Sequence, residues 1–134
     1  MMTANEKILK SLKSAMNYLE NSAAALNKKD ENLIADSIWH VAAELEYALF
    51  LFSIMFQDDV DKSKWKFNSK PQLIELDWTI KRVKELLSNA EKLATSKNFL
   101  EAYKEAYIAR RYILEVQKSF AKKKREELKK KLRK

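Results

Sequence analysis

Not one glycine occurs in these 134 residues, and proline occurs once, at Pro71. Tight turns and β-hairpins draw on those two residues for positive φ and fixed bends, so a chain lacking them has few ways to reverse inside a sheet. What remains is rich in Ala, Leu, Lys and Glu, which lose little on entering a helix. A chain of this length buries one core without staples, so the expected class is all-α in a single domain. The expected architecture is an antiparallel four-helix bundle, residues 1–116, with an extended basic C-terminal helix, residues 117–134.

The periodicity supplies the four helices. A capping box, Thr3-Ala-Asn-Glu6, opens a stripe of Ile8, Leu12, Ala15, Leu19, Ala23 and Leu26 at steps of three and four. After a polar break, Asp30 is the expected N-cap of a second helix running to about Gln57. A loop over 58–70 precedes a second box, Ser69-Lys-Pro-Gln72, which places Pro71 in the first turn of helix 3. Helix 3 presents Leu73, Leu76, Ile80, Val83, Leu87, Ala90 and Ala94; helix 4 presents Phe99, Ala102, Ala106, Ala109, Ile113, Val116 and Phe120. The two halves echo each other loosely, with Asn32-Leu33 and Asn98-Phe99 each opening a return helix, as a duplicated hairpin would.

Helix 2 carries two apolar seams. Ile34, Ile38, Val41, Leu45, Leu49, Phe52 and Phe56 form the expected core stripe. At about 100° per residue, Trp39, Ala43, Tyr47, Phe50 and Ile54 fall on the opposite side. Either the loop with Trp65 and Phe67, or a displaced helix 4, folds over that second seam, or it is a homodimer or heteromer interface; aromatic-rich apolar patches favour association.

Charge is as unevenly placed as the apolar residues. Residues 1–116 hold 17 positive and 17 negative side chains, whereas residues 117–134 hold ten positive and two negative. The cations are Lys118, Lys122, Lys123, Lys124, Arg125, Lys129, Lys130, Lys131, Arg133 and Lys134, and Arg110 and Arg111 lie upstream on the same helix among Tyr103, Tyr107 and Tyr112. Such a segment suits the backbone of RNA or DNA, with rings available for stacking, or an acidic protein or an anionic membrane surface; a solubilising end has the same composition. Phe120, Leu128 and Leu132 give it only a thin apolar face for a membrane.

Catalytic signatures are missing. His40, the only histidine, stands one turn from Asp36 and from Glu44. A second histidine, which a di-iron bundle requires, does not exist, so a solvated salt-bridged face is the preferred reading. The same histidine would have to serve any Ser nucleophile as base, and no Ser is marked as activated. Walker and dinucleotide loops need glycine, and the acidic loop of Asp58, Asp59 and Asp61 lacks the glycine and terminal Glu of an EF-hand. No enzyme activity, cofactor or metal is expected.

No cysteine is present, which suits a reducing, cytoplasmic compartment. Met1 to Lys13 alternates Lys with apolar residues and lacks a secretory signal's cleavage site. The most apolar run, Tyr47 to Phe56, is ten residues, about half of what spans a bilayer. No transmembrane segment is expected.

The stretch Tyr18-Leu-Glu-Asn-Ser-Ala-Ala-Ala-Leu with Ser37-Ile-Trp-His-Val-Ala-Ala-Glu-Leu-Glu-Tyr-Ala-Leu-Phe resembles the HEPN class of small helical domains, over about a third of the chain. The resemblance implies a four-helix bundle that often dimerises and acts in nucleic-acid-linked defence or toxin and antitoxin pairs. Active members carry Arg, four to six intervening residues, then His; the corresponding positions before His40 are Leu33, Ile34 and Ala35. What the resemblance implies is thus a non-catalytic partner, for example of a nucleotidyltransferase. Together with the tail, the sequence reads as a module that binds RNA or DNA through its C-terminal helix and self-associates or takes a protein partner through helix 2.

Overall fold

The computed structural model describes residues 2–65 and 76–133. They form four helices, α1 (Ala4–Asn27), α2 (Glu31–Met55), α3 (Leu76–Thr95) and α4 (Phe99–Leu132), with a short 3-10 turn at Lys62–Lys64 and no strand among the described residues. The second capping box with Pro71, together with Phe67, Leu73 and Lys134, lies outside the described residues. Thr3 caps α1 by accepting a hydrogen bond from the Glu6 amide at 3.2 Å, and Asp30 caps α2 through the Leu33 amide at 3.1 Å. Those two starts follow the sequence signals residue for residue.

The helix ends show how a chain without glycine still turns. Lys29, Gln57 and Lys97 adopt φ of 56°, 54° and 64° one position past the caps of α1, α2 and α3. In each case the next amide reaches back five residues to a carbonyl of the last turn: Asp30 to Ala25, Asp58 to Ser53 and Asn98 to Leu93. These are three Schellman closures with a Lys or Gln where glycine usually sits. A left-handed non-glycine residue costs about 1–2 kcal/mol. The linkers 28–30 and 96–98 are equivalent, so Asp30, not Asn32, corresponds to Asn98; the pairing of Asn32 with Asn98 expected from sequence is two residues out of step. Asp30 makes its capping bond, whereas Asn98 makes none.

Packing selects a slightly different set of core residues from the simple stripes. Ile8, Leu12, Ala15, Leu19, Ile34, Ile38, Val41, Leu45, Phe52, Ile80, Val83, Leu87, Ala90, Ala94, Ala102, Ala106, Ala109, Ile113 and Val116 are buried as expected. Ala23, Leu26, Leu49, Phe56, Leu76, Phe99 and Phe120 are only partly buried. Their places are taken by Ser22 and Ala25 on α1, Ala48 and Leu51 on α2, Leu86 on α3, and Tyr103 and Tyr112 on α4. The shift is a register drift, because a 3.6-residue helix does not keep a fixed stripe over six turns. Small side chains at several of these positions let helices approach closely; buried Ser22 satisfies its hydroxyl by donating to the Leu19 carbonyl at 2.7 Å.

The helices have defined neighbours. Substantial packing joins α1 with α2 and α3, and α4 with α2 and α3. Consecutive α2 and α3 are therefore not among the substantially packed pairs, and Phe56 to Trp65 follow α2 as the described part of the chain before α3. Trp65, at the end of that described stretch, packs edge-on against Tyr103 and Tyr107 of α4, with ring centroids 5.0 and 5.5 Å away. Tyr103 also stacks on Phe52 and Phe56 of α2, so this aromatic group ties that stretch to the α2–α4 seam.

Candidate nucleic-acid interface and an uncovered apolar face

α4 outlives the body it packs on. Its last buried residue is Val116, Phe120 still rests partly on the core, and every described residue from Ala121 onward is exposed. Among the described residues, the last ion pair to the body joins Lys123 to Glu31 at the start of α2. That carboxylate holds the Lys123 ammonium pKa above its ordinary value. Nine more helical residues, Lys124 to Leu132, project about 14 Å beyond it. Helical backbone persists because the segment keeps Ala, Leu, Lys, Arg and Glu and contains no breaker.

The cations on this rod do not form one surface. Lys118, Lys122, Arg125, Lys129 and Arg133 follow at steps of four, three, four and four, which holds them in a strip about 80° wide. Exposed Arg111 falls on the same strip two turns earlier. Val116 and Phe120 lie opposite, so the strip faces away from the core. Lys123 and Lys130 turn to one flank and Lys124 and Lys131 to the opposite side, while Glu126 borders the strip about 20° beyond its edge and Glu127 lies opposite. Lys122, Lys124, Arg125, Lys129, Lys130, Lys131 and Arg133 have no ion pair among the described residues, whereas Lys118 meets Glu115 at 3.5 Å.

The structure places two parts of the expected site away from the strip. Tyr103 and Tyr112 are only 2% and 5% exposed, so they are core residues and cannot stack bases. Tyr107 alone of the three is half-buried. Arg110 turns from the strip to pair with Glu46 of α2. The sequence spacing put rings and guanidinium groups on one helix, but the core claims the large rings because α2 and Trp65 offer them aromatic partners.

The outer seam of α2 is open. Trp39 is 60% exposed, Phe50 59%, Ile54 56% and Tyr47 46%, and Ala43 between them is exposed as well. Trp65 is engaged with α4 rather than with this seam, and α4 packs against the side of α2 that carries Phe52. Cover by either one, an expectation drawn from sequence, is thus not found among the described residues; Phe67 lies outside them. Exposed Trp78, edge-on to Tyr112 at 5.8 Å, is a further large apolar surface residue that the α3 stripe did not single out.

The acid and imidazole ladder splits in the folded chain. His40 stacks on Tyr18 at 4.5 Å and approaches Asp36 at 3.8 Å, but Glu44 turns to α1 and accepts a hydrogen bond from Ser11 at 2.9 Å. Asp61 accepts from the amide and hydroxyl of Ser63 to cap the 3-10 turn, and those bonds lower its pKa. Lys62, 5.7 Å from the centre of the Tyr103 ring, has its pKa raised, chiefly by hydrogen bonding with Tyr103. Among the described residues no group of three or more His, Asp or Glu is placed to hold a metal.

α2 is the one described helix long and apolar enough, by length and composition, to cross a membrane. The ten-residue apolar run understated it, because the helix spans 25 residues across Glu44 and Glu46. Its inner stripe, from Ile34 to Phe52, builds the core, and a core helix meets the same test. No protein-family model, curated protein or solved structure matches this chain.

Proposed function

We propose that this chain is a non-enzymatic cytoplasmic module, an antiparallel four-helix bundle whose basic α4 binds the phosphate backbone of RNA or DNA with little sequence preference. One observation carries the reading: Lys118, Lys122, Arg125, Lys129 and Arg133 share one outward strip on a helix that projects past the body. The antiparallel arrangement is supported by the order of the α2–α4 contacts, since Glu31 meets Lys123 and Glu46 meets Arg110. With Tyr103 and Tyr112 in the core, backbone charge rather than base stacking supplies the affinity.

The test is fluorescence anisotropy of labelled single-stranded RNA and duplex DNA over a salt series. Five contacts give a slope of log affinity against log salt of about −4, and a chain ending at Ala121 loses most of it. Absence of binding at low salt from the full chain sinks the proposal.

The open α2 seam favours a second role, a protein-association surface, as in a HEPN-like non-catalytic partner. Trp39→Asp or Phe50→Asp is expected to abolish association and leave nucleic-acid binding per chain intact, and loss of the tail is expected to do the reverse.

A further inference from the structure

The outer seam of α2 reads almost the same in both directions. Trp39, Ala43, Phe50 and Ile54 are placed symmetrically about the midpoint between Glu46 and Tyr47, so a second α2 laid antiparallel pairs Trp39 with Ile54 and Ala43 with Phe50. Each large side chain then meets a smaller one, which is how facing helices interdigitate without voids. Parallel pairing would set Trp39 on Trp39 and leave a gap between two Ala43 methyls. We propose that the occupant of this seam is a second copy of the chain, bound through α2 against α2 in that antiparallel register; the inference rests on reading the seam as an association surface.

Charge points the same way. α2 carries Glu31, Asp36, Glu44 and Glu46 and no Lys or Arg. Parallel pairing would bring Asp36 against Asp36, whereas the antiparallel register holds the two about 30 Å apart. At the midpoint, on the rim toward α4, the Glu46–Arg110 pair of one copy meets the same pair of the other. Each Glu46 keeps its own Arg110 as counter-ion where the two copies meet, and the antiparallel helix dipoles oppose favourably.

Size sets a further condition. A stable interface buries about 800 Å² per partner, more than five side chains over about 22 Å of helix provide. The contact therefore extends to the rims, which the fold supplies as Lys10 beside Tyr47 on one side and Lys62 beside Phe50 and Ser53 on the other. Such a pair sends the two basic α4 extensions out at opposite ends, so one particle offers two separate phosphate-binding strips.

The natural chain has no cysteine, so single cysteines report the register without background. Light scattering of the full chain at tens of micromolar is expected to give twice 15.8 kDa, and Trp39→Asp, on an exposed site, to give the single mass with an unchanged circular dichroism spectrum. Under mild oxidation Tyr47→Cys is expected to form a disulfide between copies rapidly. Ala43→Cys, about 10 Å from its counterpart in this register, is expected not to, since the two Cα atoms of a disulfide lie within about 7 Å. A dimer in which Ala43→Cys links, whether or not Tyr47→Cys does, overturns the register but keeps the association surface. A strict monomer overturns the self-association itself and leaves the seam to a different protein or a membrane surface.

Discussion

α2 and α4 are packing neighbours, yet their outward faces differ completely. α2 shows water Trp39, Tyr47, Phe50 and Ile54, and α4 shows it Arg111, Lys118, Lys122, Arg125 and Lys129. Both inner faces are ordinary: Leu45 and Phe52 on one, Ala106 and Ile113 on the other, are buried in a common core. Two helices that solve the same folding problem on the inside are thus free to differ outside, and the difference leaves the fold unaffected. An exposed apolar seam has little to gain from water and much to gain from another apolar surface, while a basic strip is already well solvated and gains from releasing the counterions of a polyanion.

The largest effect expected separates the two sides of α2. Leu45→Ala in the core should cost about 2–5 kcal/mol in urea unfolding; Phe50→Ala on the outer seam should cost the single chain no more than about 0.5 kcal/mol. A comparable loss at Phe50, measured at concentrations where association is negligible, would mean the seam is covered within one chain. Next comes the contrast within α4. Replacing Lys122, Arg125 and Lys129 by Gln should reduce the salt slope for single-stranded RNA by about two, whereas replacing Lys124, Lys130 and Lys131 should reduce it by less than one. Equal reductions would dissolve the strip into a general charge effect.

A smaller change should leave both faces alone. Lys97→Gly relieves a left-handed φ of 64° and should raise stability by about 0.5–1 kcal/mol, with mass and nucleic-acid binding unaltered. Smallest is Glu31→Gln, which removes the carboxylate that raises the Lys123 pKa. A lysine with a raised folded pKa contributes its full stabilisation below the unfolded value of 10.5 and loses it as pH rises through the folded value. The melting-temperature difference from the natural chain should thus be steady through neutral and mildly alkaline pH and fade only above that range; a difference that instead vanished near pH 8 would exclude the pair as its source.

Much of the helical plan was legible because its signals are local. Thr3 and Asp30 cap helices by bonds to amides three residues away, and apolar spacing of three and four marks a buried side without reference to any neighbour. Turn chemistry was harder to read: with no glycine available, the left-handed positions of Lys29, Gln57 and Lys97 carry no compositional mark. The candidate site divides similarly. The basic strip follows from α4 being one unbroken helix, which the sequence supports, but the fates of Tyr103 and Arg110 depended on partners more than 40 residues distant, Phe52 and Glu46.

The sequence by itself determined the all-helical class, the helix starts at Thr3 and Asp30, the two-sided apolar character of α2 and the concentration of cations after Gln117, since propensity, capping and period act over a few residues at a time. Tertiary structure alone decided that α2 packs on α4 rather than on α3, that Tyr103 and Tyr112 enter the core, that Arg110 leaves the basic strip for Glu46, and that Trp65 covers α4 while Trp39 stays in water. Each of those outcomes is a choice among neighbours brought together by burial, and no local pattern records which neighbour a side chain will find.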